Sequence, residues 1–152
     1  NGPGEWRIVD DRVMGGRSQG YFEINEEGQG HFHGGVSLEN NGGYSSVRYR
    51  LPEAQAASDQ QLVRLRVKGD GKRYRFRVKA KASDYYSYIT YFETSGEWEE
   101  IELDLEDFYP SFRGQKLKMP NFDQAQIEEL SILIANYKKE EFNLLIDKIE
   151  LD

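Results

Sequence analysis

Residues 62–81, LVRLRVK-GDGK-RYRFRVKAK, alternate apolar and basic side chains on both sides of a glycine-containing turn. Such alternation is typical of a β-strand with one face in the core and the other in solvent. The two runs are therefore predicted to form an antiparallel hairpin that turns at residues 69–72. The inner face of this hairpin is expected to consist of Val63, Leu65, Val67, Tyr74, Phe76 and Val78, with the arginines on the outer face.

Strand-like segments occupy most of the remaining chain. Alternation at residues 97–107 and apolar runs at 130–137 and 142–151 contribute further inward side chains, and a Tyr-rich run spans 85–92. One short helix is predicted at residues 124–129. About eight or nine strands with almost no helix predict an all-β, antiparallel sandwich of two sheets. Its core is expected to include Ile101, Leu103, Ile132, Leu144 and Ile146.

Length and composition describe one domain, residues 1–152, with residues 1–4 as a non-native remnant or a flexible leader. No apolar run approaches the roughly 18 residues of a membrane span, which argues against membrane insertion. The formal net charge of −7 argues against indiscriminate nucleic-acid binding. The absence of cysteine and of a visible signal peptide favours the cytoplasm. The alternative is a trimmed or processed N-terminus, from which targeting information has been removed.

The stretch DDRVMGGRSQG, residues 10–20, fits neither a strand nor a helix. Gly15 or Gly16 is expected to have a positive φ, and so is Gly42 or Gly43 in the turn that follows. Asp11 is expected to accept hydrogen bonds from turn amides; the alternative is a structural calcium site. The carboxylates considered for that calcium are Asp10 and Asp11 with Glu150 or Asp152.

Two short motifs occur in this order, Val13-Met14-Gly15-Gly16-x-Ser18 and Asn40-x-Gly42-Gly43-Tyr44, and Gly69-Asp70-Gly71 and Arg113-Gly114 follow them. Together these stretches resemble the complex I intermediate-associated protein family. The resemblance covers nearly the whole chain and implies a jelly-roll sandwich similar to galactose-binding domains. It also implies a non-catalytic module, since mitochondrial members help to assemble the respiratory NADH:ubiquinone oxidoreductase. The matching residues are Trp6, Asp11, Val13, Met14, Gly15, Gly16, Ser18, Phe32, Gly34, Ser37, Asn40, Gly42, Gly43, Tyr44, Gly69, Asp70, Gly71, Tyr74, Trp98, Arg113, Gly114, Phe142, Leu144 and Ile146.

No coherent catalytic set is present in the sequence, so we expect a protein that is not an enzyme. There is no cysteine and no nucleophile-elbow motif. His31 and His33 would lie on one face of a strand, but a zinc site needs a third ligand and no such ligand is recognisable nearby. The sequence therefore predicts no metal site and no cofactor.

The basic rows of residues 64–79 need negative charge nearby, because like charges on paired strands repel. We expect the acidic row Glu100, Glu102 and Asp104 to lie in the same sheet and neutralise them. The alternative is an external anionic or polar ligand on a face that combines arginine with tyrosine. The candidate binding residues are Arg64, Arg66, Arg75, Arg77, Tyr85, Tyr86, Tyr88, Tyr91 and Arg113.

Two functions follow, and structural features separate them. The first is an assembly-factor-like module that binds an unknown protein partner, which predicts an exposed apolar patch. The alternative is a carbohydrate-binding module, which predicts a groove with exposed aromatic rings and convergent polar groups. Catalysis would require a cleft with strongly perturbed titrating groups.

Overall fold

The computed structural model describes residues 5–11 and 15–152. This part of the chain forms twelve β-strands and two short 3-10 turns, at Glu39–Asn41 and Leu105–Asp107. It contains no helix long and apolar enough to cross a membrane. The strands are β1 (Glu5–Asp10), β2 (Gln19–Ile24), β3 (Gly30–Val36), β4 (Ser45–Ala56), β5 (Leu62–Lys68), β6 (Arg73–Lys79), β7 (Ser87–Glu93), β8 (Trp98–Asp104), β9 (Tyr109–Phe112), β10 (Gln115–Lys116), β11 (Gln126–Ile134) and β12 (Glu140–Leu151).

The strands form two antiparallel sheets that enclose one core. The seven-stranded sheet has the order β1-β4-β11-β6-β7-β9-β10, and the five-stranded sheet has the order β2-β3-β12-β5-β8. Alternate residues of each strand face the other sheet, so the apolar sets of both sheets meet in the middle. The predicted all-β, two-sheet antiparallel jelly roll is confirmed.

The predicted hairpin of residues 62–81 is wrong. β5 pairs with β12 and β8 in the five-stranded sheet, whereas β6 pairs with β11 and β7 in the seven-stranded sheet. The connecting residues 69–72 therefore cross from one sheet to the other. Asp70 holds this crossing, because it accepts hydrogen bonds from the Tyr74 hydroxyl at 3.0 Å and from the Asn143 amide at 2.8 Å. Gly71 supplies a φ of +82°.

This crossing has two physical advantages over the hairpin. It lets the apolar faces of β5 and β6 pack against each other across the core instead of lying side by side. It also separates two rows of arginines that a hairpin would place directly opposite one another. The period-two pattern specifies both strands but does not state whether they are partners in one sheet.

The predicted core residues are nearly all buried, with Leu65, Tyr74, Phe76 and Ile132 fully enclosed. Ile101 is the exception and is half-buried. Its strand, β8, is at the edge of the five-stranded sheet and pairs only with β5 among the described strands. An edge strand has neighbours on one side only, which leaves its inward side chains less covered.

The predicted helix at 124–129 is wrong as well. Residues from Gln126 onward belong to β11, which has a register shift between Ile127 and Glu129 against β4. A bulge of this kind breaks the strict alternation locally, so the segment does not show a clean strand pattern. The strand pairs over long stretches on both sides, and these pairings outweigh the weak local helix signal.

Candidate ligand-binding cleft

A cleft of about 680 Å³ opens over the outer face of the seven-stranded sheet. Its floor is formed by outward side chains of β4, β11, β6 and β7, and loops at both ends form its rim. We call it the basic cleft, because four cations lie on its floor. These cations are Arg48, Arg75, Arg77 and Lys79.

One row of the floor contains an acid. Glu129 of β11 lies between Arg50 of β4 and Lys79 of β6 in the sheet register. It is buried, and its carboxylate also lies 3.7 Å from the guanidinium of Arg7. Glu129 therefore neutralises positive charge in its own row.

The next row of the floor contains no acid. Ser131 of β11 lies between Arg48 of β4 and Arg77 of β6. The Ser131 hydroxyl accepts a hydrogen bond from Arg77 Nε at 3.0 Å but carries no charge. Two arginines therefore approach each other across a neutral residue. Burial and the nearby Arg48 cation lower the pKa of Arg77 to about 10.

Arg75 precedes Arg77 by two residues in β6, lies in the next row of the floor and is 8% exposed. Its Nη2 donates to the Ala135 carbonyl at 3.0 Å, and its guanidinium lies 5.1 Å from the centre of the Tyr91 ring. Its Nε, like that of Arg48, is buried and has no hydrogen-bond partner within the described chain. Two buried donors beside the cleft thus lack acceptors, which is a costly arrangement.

The rim of the basic cleft carries exposed apolar and aromatic side chains. Tyr137 is 80% exposed and Tyr85 is 63% exposed, and Leu38 and Phe112 are also exposed. The rings of Tyr85 and Phe112 meet edge to face at 5.3 Å. The rim thus offers flat apolar surfaces above a charged floor, and this combination suits a ligand with both ring faces and polar groups.

Three loops around the basic cleft hold a non-glycine residue at positive φ. These residues are Asn40 at +56°, Arg113 at +50° and Tyr137 at +60°. Arg113 and Tyr137 line the cleft, and Asn40 belongs to the loop that supplies Leu38 and Gly42. Arg113 and Gly114 form the two-residue turn between β9 and β10, in which positive φ is usual, and asparagine tolerates this region. Tyr137 is the residue whose side chain disfavours it, and such strain concentrates at functional sites.

Asp11 organises one end of the cleft. Its Oδ2 accepts hydrogen bonds from the amides of Gly43 at 2.5 Å and Tyr44 at 3.1 Å, and its Oδ1 accepts from the Ser18 amide at 2.8 Å. The Ser18 hydroxyl donates to Oδ2 and accepts from the Ser37 amide. Burial opposes ionisation of Asp11, but these hydrogen bonds outweigh it and hold its pKa below the ordinary value of 3.8.

The glycines of the two loops are explained by this carboxylate. A Cβ on Gly16 would lie 2.4 Å from Asp11 Oδ1, and one on Gly42 would lie 2.5 Å from Oδ2. Gly15 has a φ of +88° and Gly43 a φ of +150°, so both expected positive values are confirmed. Met14, which belongs to the same motif, lies outside the described residues.

The structure divides the predicted binding residues. Arg75, Arg77 and Arg113 line the basic cleft, and Tyr85 is on its rim. Arg64 and Arg66 lie on the outer face of the other sheet, where they contact Glu102 at 3.0 Å and Asp147 at 3.3 Å. We therefore remove both from the candidate set.

The tyrosines of the 85–92 segment are divided in a similar way. Tyr88 is 2% exposed and packs against Phe122 in the core, so it is also removed. Tyr86 is half-buried against the same core. Tyr91 faces outward, and although burial raises its pKa, the hydrogen bond with Tyr109 and the cations Arg75 and Arg73 lower it overall.

Two groups considered as metal ligands are placed elsewhere. Glu23 lies beside His31 and His33 on the five-stranded sheet, and its Oε1 is 2.6 Å from His33 Nε2. Glu23 is a possible third ligand beside the two histidines. The sequence analysis did not identify it because it belongs to the neighbouring strand β2, whose pairing with β3 is not visible in the sequence. The acids considered for calcium do not form a metal-binding group among the described residues.

The sequence analysis did not identify Arg48, Leu38 or Tyr137 as cleft residues. Arg48 belongs to β4, which is separated from β6 by β11 in the sheet and by many residues in the chain. Tyr137 belongs to the loop between β11 and β12.

A second groove, of about 750 Å³, is lined mainly by apolar side chains that also pack the core, such as Phe76 and Val78.

Comparison with known proteins agrees with this architecture. A family model described as Complex I intermediate-associated protein 30 matches residues 2–146. The family 11 carbohydrate-binding module of a cellulosomal cellulase of Clostridium thermocellum superposes with a TM-score of 0.67 and 18% identity, covering 97% of this chain and 86% of that one. The same kind of module in complex with a β-1,3-1,4-mixed-linked tetrasaccharide gives a TM-score of 0.66 and 16% identity, covering 99% and 89% of the two chains.

A solved structure of a family 4 carbohydrate-binding module is also similar. It has a TM-score of 0.59 and 10% identity, and the match covers 100% of this chain and 88% of that one. At these identities the likeness establishes the fold alone. The match of the family model over nearly the whole chain, in contrast, establishes relationship.

Proposed function

The chain belongs to the complex I intermediate-associated protein 30 family, and we propose that it is a non-catalytic binding module whose ligand is a carbohydrate chain. The observation that carries this proposal is the basic cleft, with its polar floor and exposed aromatic rim. Convergent polar groups orient a sugar through its hydroxyls, and flat aromatic rings contact the apolar face of a pyranose.

The non-catalytic assignment is supported by the carboxylates of the cleft. Glycoside hydrolysis requires two acids with separate roles across the scissile bond. Among the described residues, only Asp11 and Glu129 bring carboxylates to the basic cleft. Asp11 is occupied by its loop hydrogen bonds, and Glu129 contacts Arg7 and lies between basic neighbours. Neither is free to act as a general acid or a nucleophile.

The fold similarity adds support of a different kind. A module with the same architecture is described in complex with a tetrasaccharide, so this sandwich is compatible with glycan binding. The low identity means that the ligand of our chain must be argued from its own cleft. The loop at Tyr137 supports that argument, because it holds an exposed ring at the cleft at a φ of +60°, which a tyrosine side chain disfavours.

The test measures binding of the 152-residue chain to a panel of soluble polysaccharides by affinity electrophoresis and calorimetry. Tyr137→Ser removes an exposed rim ring, and Tyr21→Ser removes an exposed ring on the other sheet as the matched control. We expect Tyr137→Ser to weaken binding about tenfold, because a ring contact contributes on the order of 1 kcal/mol to the binding free energy. Tyr21→Ser should have no effect. Absence of glycan binding, or equal loss in both variants, contradicts the proposal.

A protein partner is the second candidate, and membership of the family favours it, because the family name refers to intermediates of complex I. The exposed side chains Leu38, Tyr85, Phe112 and Tyr137 would then form the apolar contact. The discriminating experiment is photo-crosslinking from position 85 in lysate, with position 21 as control. A single protein crosslinked from position 85 and absent from position 21 favours the partner; competition of that crosslink by a glycan favours the carbohydrate.

A further inference from the structure

The lining of the basic cleft has a charge opposite to that of the whole chain. Among the described lining residues, five cations, which are Arg48, Arg75, Arg77, Lys79 and Arg113, stand against two carboxylates. The chain as a whole has a formal net charge of −7. Positive charge is therefore concentrated in one concavity of an otherwise acidic protein, and a walled concavity focuses its potential.

Internal neutralisation does not account for these cations. Arg48, Arg75 and Arg77 make no ion pair within 4.0 Å in the described part of the chain, although Glu129 is near enough to favour the cation of Arg77. Ser131, between Arg48 and Arg77, is neutral. Cations that lie close together without counter-ions destabilise the folded state. Such a cost is expected at a functional site, where an anionic ligand supplies the opposite charge.

The geometry of the arginine side chains also suits an acidic ligand. Arg75 uses Nη2 on a backbone carbonyl, which fixes the guanidinium plane at the edge of the cleft. Arginine donors in a fixed plane match the paired oxygens of a carboxylate or a sulfate.

We propose that the carbohydrate bound in the basic cleft is acidic, and that its carboxylate or sulfate groups contact Arg48, Arg75 and Arg77. This inference rests on the proposed function and specifies its ligand class. The exposed rings of Tyr85 and Tyr137 contact the sugar rings, while the acid groups reach the floor between them. A peptide rich in acidic residues would satisfy the arginines but has fewer flat apolar faces for the rim.

The experiment compares glycans that differ only in charge. Polygalacturonate is paired with its methyl ester, and a sulfated galactan is paired with the same galactan after removal of its sulfate groups, each titrated into the 152-residue chain by calorimetry. We expect at least one acidic glycan to bind about tenfold or more tightly than its neutral counterpart, because charge-assisted hydrogen bonds are stronger than neutral ones. The two pairs distinguish carboxylate from sulfate.

Two double variants of equal charge test the location. Arg75→Gln with Arg77→Gln alters the basic cleft, and Arg64→Gln with Arg66→Gln removes the same charge from the other sheet. We expect a loss of about 100-fold for the acidic glycan in the first variant and none in the second. Arg113→Gln, at an exposed cleft position, serves as a second cleft variant if the first does not fold, and we expect it to weaken the acidic glycan only.

Each other outcome has a definite meaning. Equal affinity for charged and neutral glycans overturns the acidic ligand and leaves the carbohydrate function standing. Equal losses in the two double variants overturn the assignment to this cleft. Binding of polyglutamate as tight as that of the acidic glycan overturns the carbohydrate class in favour of an acidic protein segment, and no binding to any glycan contradicts the proposed function itself.

Discussion

β5 and β6 carry almost the same sequence pattern, yet their arginines have opposite surroundings. Arg64 on β5 donates to Glu102 of the adjacent β8 and contacts Asp152, and Arg66 contacts Asp147 and the ring of Trp98. On β6, Arg75 and Arg77 face Tyr91 and Ile89 of the adjacent β7 instead. The identity of the neighbouring strand, not the pattern of the strand itself, decides whether an arginine is neutralised.

The pKa directions express the same difference. The hydrogen bond to Glu102 and the charge of Asp152 raise the pKa of Arg64 above its ordinary value. Burial and Arg48 lower the pKa of Arg77 to about 10. The charged form of Arg64 is therefore stabilised by carboxylates of the protein itself. The charged form of Arg77 is destabilised by its surroundings, so a bound anion would stabilise it.

The largest effect is expected at Asp11, which holds the loop at the end of the basic cleft. Asp11→Asn places an NH₂ group against amide donors and should destabilise the domain by about 3 kcal/mol in urea unfolding. Because the folded-state pKa is below 3.8, this stabilisation is present above about pH 4 and is lost as the pH falls through the folded value.

The pH dependence provides the control for Asp11. The stability difference between the parent chain and Asp11→Asn should shrink as the pH falls from about 4 through the lowered folded-state pKa, because the unfolded parent chain takes up a proton first and the folded carboxylate takes it up later. A difference that is constant from pH 3 to pH 7 would show that the charge of Asp11 is irrelevant to the loop.

The second effect concerns Glu129, the acid of the cleft floor. Glu129→Gln leaves Arg7 and Lys79 without their shared counter-charge and should lower the free energy of unfolding by about 2 kcal/mol, since the group is buried. It should also strengthen binding of an acidic glycan. Urea unfolding and calorimetry measure the two effects, and a variant that is unchanged in both contradicts our account of the floor.

The third effect has the opposite sign. Arg77→Met retains much of the side-chain length and removes a cation beside Arg48, so we expect the domain to become more stable by about 1 kcal/mol. Ligand binding should fall at the same time. Thermal and urea unfolding measure the gain, and destabilisation by Arg77→Met would mean that the hydrogen bond to Ser131 matters more than the repulsion.

The smallest effect is expected on the β5 face. Glu102→Gln removes a partner of Arg64, but both side chains are substantially exposed and Asp152 remains in contact. Exposed ion pairs contribute little because water and salt screen them. The urea midpoint should therefore change less than for Glu129→Gln. An equal or larger change would contradict the proposed difference between the arginines of β5, which are paired with carboxylates, and those of the basic cleft.

Much of the fold could be predicted from the sequence. Period-two alternation identified β5, β6 and β8 and placed Leu65, Phe76 and Leu103 in the core. This is possible because the side chains of a strand point alternately to its two faces, so the chain itself records which face is buried. The glycine motifs around Asp11 also indicated tight turns, and Gly15 and Gly43 have the expected positive φ.

The candidate site was predicted only in part, since Arg75, Arg77 and Arg113 were named but were grouped with Arg64, Arg66 and Tyr88. Assigning a face requires the partner of each strand, and antiparallel pairing between distant segments leaves little trace in one sequence. The bulge in β11 and the inter-sheet crossing at residues 69–72 both depend on contacts with residues far along the chain.

The sequence by itself determined that this protein is an antiparallel β-sandwich with basic outer rows, because those properties follow from local alternation and composition. Only the tertiary structure decided that Arg64 of β5 lies opposite Glu102 while Arg77 of β6 lies opposite the neutral Ser131. The physical reason is that electrostatic neutralisation depends on distance in space, and the strand order of a sheet brings together residues that the chain keeps far apart.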